Sequence, residues 1–280
     1  MAADIRQFVQ ERFSLRVTLP LTLILFAGPA SLNRPGPGVL LFGWAATFLA
    51  LLCLRMADDL ASLEADRAAH PERGLPAGRI RPVALKALVA AGSATLAVVH
   101  LNSQAFSLVA GAIIFYLLFY KFLRERLPLT LKPFFSNAVF AVLPCYAGLV
   151  SGGLLPAQLF LAAFVWLAAV AHEWAHNVHG PGEAGLGLAE YAVALGPRAS
   201  AAAALALFAG AGACGWLAWL KTGRPWAFGV LLGITTVHVG FLGLRLVRRP
   251  EYRNARPFYV AGFTFFLLPL AGLMADALLR

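Results

Sequence analysis

Acidic side chains are scarce in this sequence. Its 280 residues hold 13 Asp and Glu against 23 Lys and Arg, a net charge of +10, and charged residues of every kind make up only 13%. A soluble domain carries about 25% charged residues, so this chain lacks the means to cover a water-facing surface. Cysteine is scarce too. Cys53, Cys145 and Cys214 each fall in an apolar stretch, and no C-x-x-C occurs. That excludes a disulfide framework and a cysteine-built zinc site, and leaves three small buried hydrophobes. The positive charge comes with no recognition module for nucleic acid, which removes that class of partner.

What the chain has instead is apolar length: 60% of it is hydrophobic. A membrane span needs about 20 mostly apolar residues. Nine such stretches are expected, over Leu15–Ala30, Gly38–Met56, Pro82–Leu101, Gln104–Phe122, Pro133–Ser151, Pro156–Trp174, Ala199–Leu220, Trp226–Leu246 and Pro257–Leu279. The first could also be read as a signal peptide, with basic residues before a short apolar run. The many spans after it favour a retained first span, preceded by an interfacial helix over "DIRQFVQERF". With the N-terminus inside, every basic residue except Arg34, Lys221, Arg224 and Arg280 falls on the cytoplasmic side. Such a bias supports the nine-span count and an N-in, C-out orientation. The expected fold is therefore all-α, a polytopic membrane protein with its N-terminus cytoplasmic, in the cell membrane. Its two long loops, about 57–81 and 175–198, lie on the inside.

The few acids concentrate in these two loops. Asp58, Asp59, Glu64, Asp66 and Glu72 lie in "DDLASLEADRAAHPE", and Glu173, Glu183 and Glu190 in or beside the other loop. If the second helix continues past the bilayer, Asp59, Ser62 and Asp66 share one face. Converging carboxylates repel unless a cation lies between them. Hard oxygen donors suit Mg²⁺, which uses one or two carboxylates together with substrate phosphates. Arg55, Arg67, Arg73, Arg79 and Arg81 are near enough in sequence to hold phosphate oxygens. A solvated acidic loop with ordinary salt bridges is the competing reading.

The stretch "DDLASLEADRAAHPERGLPAGRI" resembles the first aspartate-rich motif of the UbiA superfamily of intramembrane prenyltransferases, N-D-x-x-D-x-x-x-D followed by R-P-L-P-x-G. Asp58 takes the Asn place, Asp59 the first Asp and Asp66 the last, while Ser62 stands where the middle Asp is expected. Arg73, Leu75, Pro76 and Gly78 match the second part, and Gly74 replaces its first Pro. The resemblance extends over nearly the whole chain, including the basic segment "YKFLRERLPLTLK" after the fourth span. It implies a single domain, 1–280, built as a nine-helix bundle with a central cavity for a prenyl chain. It also implies Mg²⁺ as cofactor and transfer of a prenyl group from an isoprenyl diphosphate to a lipophilic or aromatic acceptor, within isoprenoid biosynthesis. Some relatives cyclise the prenyl chain instead, so a terpene cyclase remains open, as does a lipid-binding relative without catalysis. On this reading Asp58, Asp59, Glu64 and Asp66 hold metal, and Arg73, Lys121, Arg124 and Lys132 grip the diphosphate. Asn137, a polar group inside a span, is a pocket residue or a helix–helix bond.

The second family motif, commonly D-x-x-x-D at the end of the sixth span, is replaced by "HEWAHNVHGPGE". No Asp is present. Glu173 and Glu183 are the available carboxylates for a second metal site, with His176 and Asn177 beside them contacting substrate. Asp59, Asp66 and Glu173 are the expected catalytic residues. The same stretch contains H-E-x-x-H, which would make His172 and His176 zinc ligands and Glu173 the base of an intramembrane metalloprotease. That reading has to find a third ligand, for which His179 is the nearest candidate in sequence, and leaves the Asp58–Asp66 cluster without a task.

Overall fold

The computed structural model describes residues 2–180, 183 and 194–279. The described residues are helical throughout their regular structure. Nine helical segments among them are long and apolar enough to cross a membrane, and they fall on the nine expected stretches. Glu190 and half of the 175–198 loop lie outside the described residues.

The chain divides into two compact units. The first comprises the residues up to Phe26 with Gly36–Arg126. It contains α1 (Ala2–Arg12), most of α2 (Leu15–Ala30), α3 (Pro37–Ala61), α4 (Leu63–Ala69), α5 (Pro82–His100) and α6 (Phe106–Leu118). The second comprises Ala27–Pro35 and the chain from Leu127 onward. It contains α7 (Lys132–Ser136), α8 (Val139–Val150), α9 (Pro156–His176), α10 (Pro197–Lys221), α11 (Trp226–Arg248) and α12 (Tyr252–Leu278).

In the first unit, the acidic segment read as a loop is largely helix. α3 runs on through Asp58 and Asp59 to Ala61, breaks at Ser62, and resumes as α4 through Asp66. The rest of the segment is held by burial. Leu75 and Ile80 enter one apolar cluster with Phe8 of α1, Cys53 and Met56 of α3, and Leu85 of α5. α1 is tied polarly as well. Asp4 accepts from the Arg81 N–H and side chain, and Glu11 accepts from the Gly74 N–H at 2.8 Å. The Arg81 bonds hold the Asp4 carboxyl below its usual range, and the Gln7 side chain, with the Gly74 N–H, does the same for Glu11. Gly74 stands where the family motif has Pro, and it supplies the N–H that Pro lacks. α3 and α5 approach closely because Gly92 offers no side chain against Cys53. After Leu118, α6 passes into a π-helical turn over Phe119–Leu123, a geometry that often marks functional positions.

In the second unit, α9 is the most enclosed span, with Leu161, Phe164, Val165, Ala168 and Ala171 all buried. Small residues on this helix let α10 pack closely. The last span begins at Tyr252, five residues before the expected Pro257. Proline lies inside the helix here, which membrane helices tolerate.

Candidate functional site

The last turns of α3 bring charge together. Asp59 is buried, and both of its oxygens are taken: Arg12 donates through Nε (2.8 Å) and Nη2 (3.0 Å), and Arg55 lies 3.0 Å from Oδ1. The paired carboxylate in turn strengthens the hold of Arg12 on its proton. Asp58 is more open, with Arg55 and Arg124 at 3.8 and 3.7 Å. Ser62 donates to the Asp58 carbonyl and accepts from Arg124 Nη2 at 2.9 Å, so its hydroxyl aims the guanidinium. Arg73 donates to Asp66 at 3.0 Å. The Arg124 guanidinium lies 5.9 Å from the Tyr120 ring, which continues into Phe119, Tyr116 and Phe115 along α6. Arg55 Nε and one terminal nitrogen of Arg124 are buried without an acceptor among the described residues. Four guanidiniums thus face three carboxylates, with two donors unfilled. The arrangement suits a ligand rich in anionic oxygens.

The last turns of α9 are different in kind. Glu173 accepts from Asn137 Nδ2 and from Ser136 Oγ (3.3 Å). Asn177 caps the helix, its side chain donating to the Glu173 carbonyl at 2.8 Å. His172 Nδ1 meets the Tyr259 carbonyl at 2.8 Å, and its ring packs on Phe263 at 4.2 Å. His176 packs on Tyr259 at 4.8 Å, and His179 stacks on Tyr252 at 5.1 Å. Glu183 accepts from the N–H groups of Gly180 (2.8 Å) and Tyr252 (2.7 Å), which hold its carboxyl below the usual range and cap the start of α12.

The model of the UbiA prenyltransferase family matches residues 18–269. This chain belongs to the UbiA prenyltransferase family. Two solved structures share the fold. One was solved in a study of digeranylgeranylglyceryl phosphate synthase in membranes; it is 16% identical, with 99% of each chain covered and a TM-score of 0.76. The other is the apo form of a UbiA homologue from Aeropyrum pernix K1; it is 19% identical, covering 94% of this chain and 98% of that one, with a TM-score of 0.73. No curated protein matches.

Against the UbiA motifs, Asp58, Asp59, Asp66, Arg73 and Arg124 lie in one charged cluster. Glu64 turns away: its side chain is 82% exposed and pairs with Arg67 at 2.6 Å. Lys121 stands over the Phe122 ring at 5.0 Å, and Lys132 opens α7. Asn137 and Asn177 both bind Glu173, while His176 belongs to the aromatic group around Tyr259. Among the described residues, no three His, Cys, Asp or Glu gather as a metal site. The H-E-x-x-H stretch therefore builds no three-ligand zinc centre from these residues, and Glu173 is turned to Asn137 and Ser136. Mg²⁺ has weaker demands: one or two carboxylates with phosphate oxygens suffice. Asp58 fits that donor set with its carboxylate accessible, and Asp59 fits it by giving up a guanidinium. Sequence reasoning missed Arg12, Tyr120, Tyr252 and Tyr259. Tyr120 had a signal in its place one turn before Arg124. Arg12 had none, since 47 residues separate it from Asp59.

Proposed function

We propose that this chain is a Mg²⁺-dependent prenyltransferase of the cell membrane. Residues 1–280 work as one catalytic domain, N-terminus inside, transferring the prenyl group of an isoprenyl diphosphate to a lipophilic or aromatic acceptor in isoprenoid biosynthesis. The observation that carries this reading is the pair of buried, unfilled guanidinium donors on Arg55 and Arg124 beside the accessible Asp58 carboxylate.

Ionisation of an allylic diphosphate separates a carbocation from a pyrophosphate leaving group that carries one more negative charge than the substrate did. Arg55 and Arg124 complement the charge that develops on the leaving oxygens, and donors already in place avoid reorganisation at the moment of reaction. Ser62, in the position of the family's middle Asp, holds Arg124 at its work and presents a hydroxyl where relatives have a carboxylate. Asp58 and Asp59 would hold Mg²⁺, which supplies further neutralisation of phosphate charge. Asp66 keeps Arg73 turned toward the cluster. Tyr120 presents a π face next to the phosphate-binding guanidinium, with Tyr116 packed behind it, where a cation forming at the allylic carbon is stabilised. In the second motif Glu173 is oriented by Asn137 and Ser136, His176 is its expected substrate-contacting partner, and Asn177 fixes the helix end. Glu183 is the weakest ligand of the expected set because two backbone N–H groups already use its carboxylate.

The test is pyrophosphate release by purified protein from farnesyl and geranylgeranyl diphosphate, with and without Mg²⁺, across lipophilic acceptors. Metal-dependent release that falls in Arg124→Gln supports the reading. No release with any acceptor, and no binding of either diphosphate, would overturn it.

A further inference from the structure

The second unit has a pocket at the end of its helices remote from His176. It is formed by the start of α9, the ends of α10 and α12, and the turn Ser31–Asn33 with Arg34. α9 has 21 residues, which places its two ends about 30 Å apart. The pocket encloses about 280 Å³, and Arg34 and Lys221 line it. Its volume is at or below the lower end of ordinary small-molecule sites, about 300–1,000 Å³, too little for a long isoprenoid chain.

Arg34 is presented by strained backbone. It has φ 50° and ψ 55°, the left-handed region that a side chain of this size rarely enters. Such strain persists only when the surroundings over-determine it, and it concentrates at ligand sites. The surroundings are visible. Asn33 Nδ2 lies within hydrogen-bond distance of Gly148 O (3.1 Å), Ser151 Oγ (3.0 Å) and Gly153 O (2.8 Å). Ser31 Oγ donates to Gly28 O at 2.6 Å.

The one acid in the pocket is already engaged. Asp276 is buried and accepts from the N–H groups of Ala227 (3.2 Å) and Phe228 (3.1 Å), capping the start of α11. Neither Arg34 nor Lys221 makes an ion pair among the described residues. Leu155 and Leu273 complete an apolar wall. Trp226, beside the pocket residue Pro225, is 66% exposed, and tryptophans at span ends settle at the membrane–water interface.

We propose that this pocket binds the phosphate headgroup of an anionic membrane phospholipid. Arg34 and Lys221 hold the phosphate oxygens, and the first acyl carbons run along Leu155 and Leu273. This site is independent of the prenyl-transfer reading.

The experiment measures the melting temperature of the purified protein in detergent with added phosphatidylglycerol, phosphatidylcholine or inorganic phosphate. Phosphatidylglycerol is expected to raise it by several degrees, the other two by little. The double variant Arg34→Asn, Lys221→Gln should lose that shift; Asn tolerates the left-handed backbone, so the turn is preserved. Arg248→Gln with Arg249→Gln, at the other helix ends, should keep it. If the double variant folds poorly, Lys221→Gln alone gives the reading, with a reduced shift supporting the site and an unchanged one overturning it. An equal shift in the double variant, or with phosphatidylcholine, overturns the proposal. An equal shift with inorganic phosphate overturns the lipid as ligand.

Discussion

The C-terminal ends of α3 and α9 pose the same electrostatic problem and solve it differently. Each carries a carboxylate three residues before the helix ends, Asp58 before Ala61 and Glu173 before His176. Each such group faces the negative end of the helix dipole, which disfavours a second negative charge there. At α3 the answer is full charge: Arg12, Arg55 and Arg124 surround Asp58 and Asp59. At α9 it is neutral donors, with Asn137 and Ser136 on Glu173 and imidazoles packed on aromatic rings. A cluster rich in guanidinium can exchange an internal partner for a phosphate oxygen. A carboxylate satisfied by amide and hydroxyl groups has less to gain from a metal ion. The altered second motif is therefore not a weakened copy of the first but an environment of another type.

The sharpest way to break this comparison is Asp59→Ala. It leaves Arg12 and Arg55 facing each other without the carboxylate between them; both guanidiniums keep some contact with solvent, so the cost is about 1.5–3 kcal/mol. Loss of turnover and a large fall in melting temperature are expected together. A fully stable variant would show that the arginines do not depend on Asp59.

Next in size is the contrast between Asp58→Asn and Glu173→Gln. Asp58→Asn should lower the rate of pyrophosphate release by on the order of 100-fold and raise the Mg²⁺ concentration needed for half-maximal rate. Glu173→Gln should lower the rate by about tenfold at an unchanged Mg²⁺ requirement. Equal metal shifts in the two variants would make the two ends alike after all.

Acid should separate them further. Glu183 has its carboxyl held below the usual range by the Tyr252 and Gly180 N–H groups. A depressed carboxyl contributes stability above its unfolded value, near 4.5, and that contribution is lost as pH falls through the folded value. Glu183→Gln should therefore flatten the fall of melting temperature below about pH 4.5. A parallel fall in variant and parent would remove Glu183 from the capping of α12. The smallest expected effect is that of Gly74→Pro, which restores the family's residue but deletes the bond to Glu11. A loss of about 1 kcal/mol, read by chemical denaturation, is expected. A gain would show that the ring's stiffness outweighs that bond.

The spans were legible because hydropathy is local: each helix in a bilayer needs its own apolar length, and nine such lengths can be counted along the chain. The acidic motif was legible because Asp59, Ser62 and Asp66 recur at helical spacing. Their guanidinium partners were only half visible. Arg55 lies one turn from Asp59, whereas Arg12 reaches it from another helix. The H-E-x-x-H stretch left two readings open for a related reason. Spacing places His172 and His176 on one face of α9, but what a side chain does there is decided by Tyr259 and Phe263 of α12. α12 starts before the expected Pro257 because polar and basic residues over 252–256 extend the helix beyond its apolar length.

The π-helical turn at Phe119–Leu123 sets the phase of everything beyond it. A residue in an α-helix advances the chain by about 100°, and the Arg124 N–H reaches back five residues, to Phe119. Losing one residue from that turn would leave the span's length almost intact while swinging Arg124 about a quarter-circle away from Ser62. Length in this segment is thus a second kind of information, counted in single residues, and point substitutions alone cannot erase it.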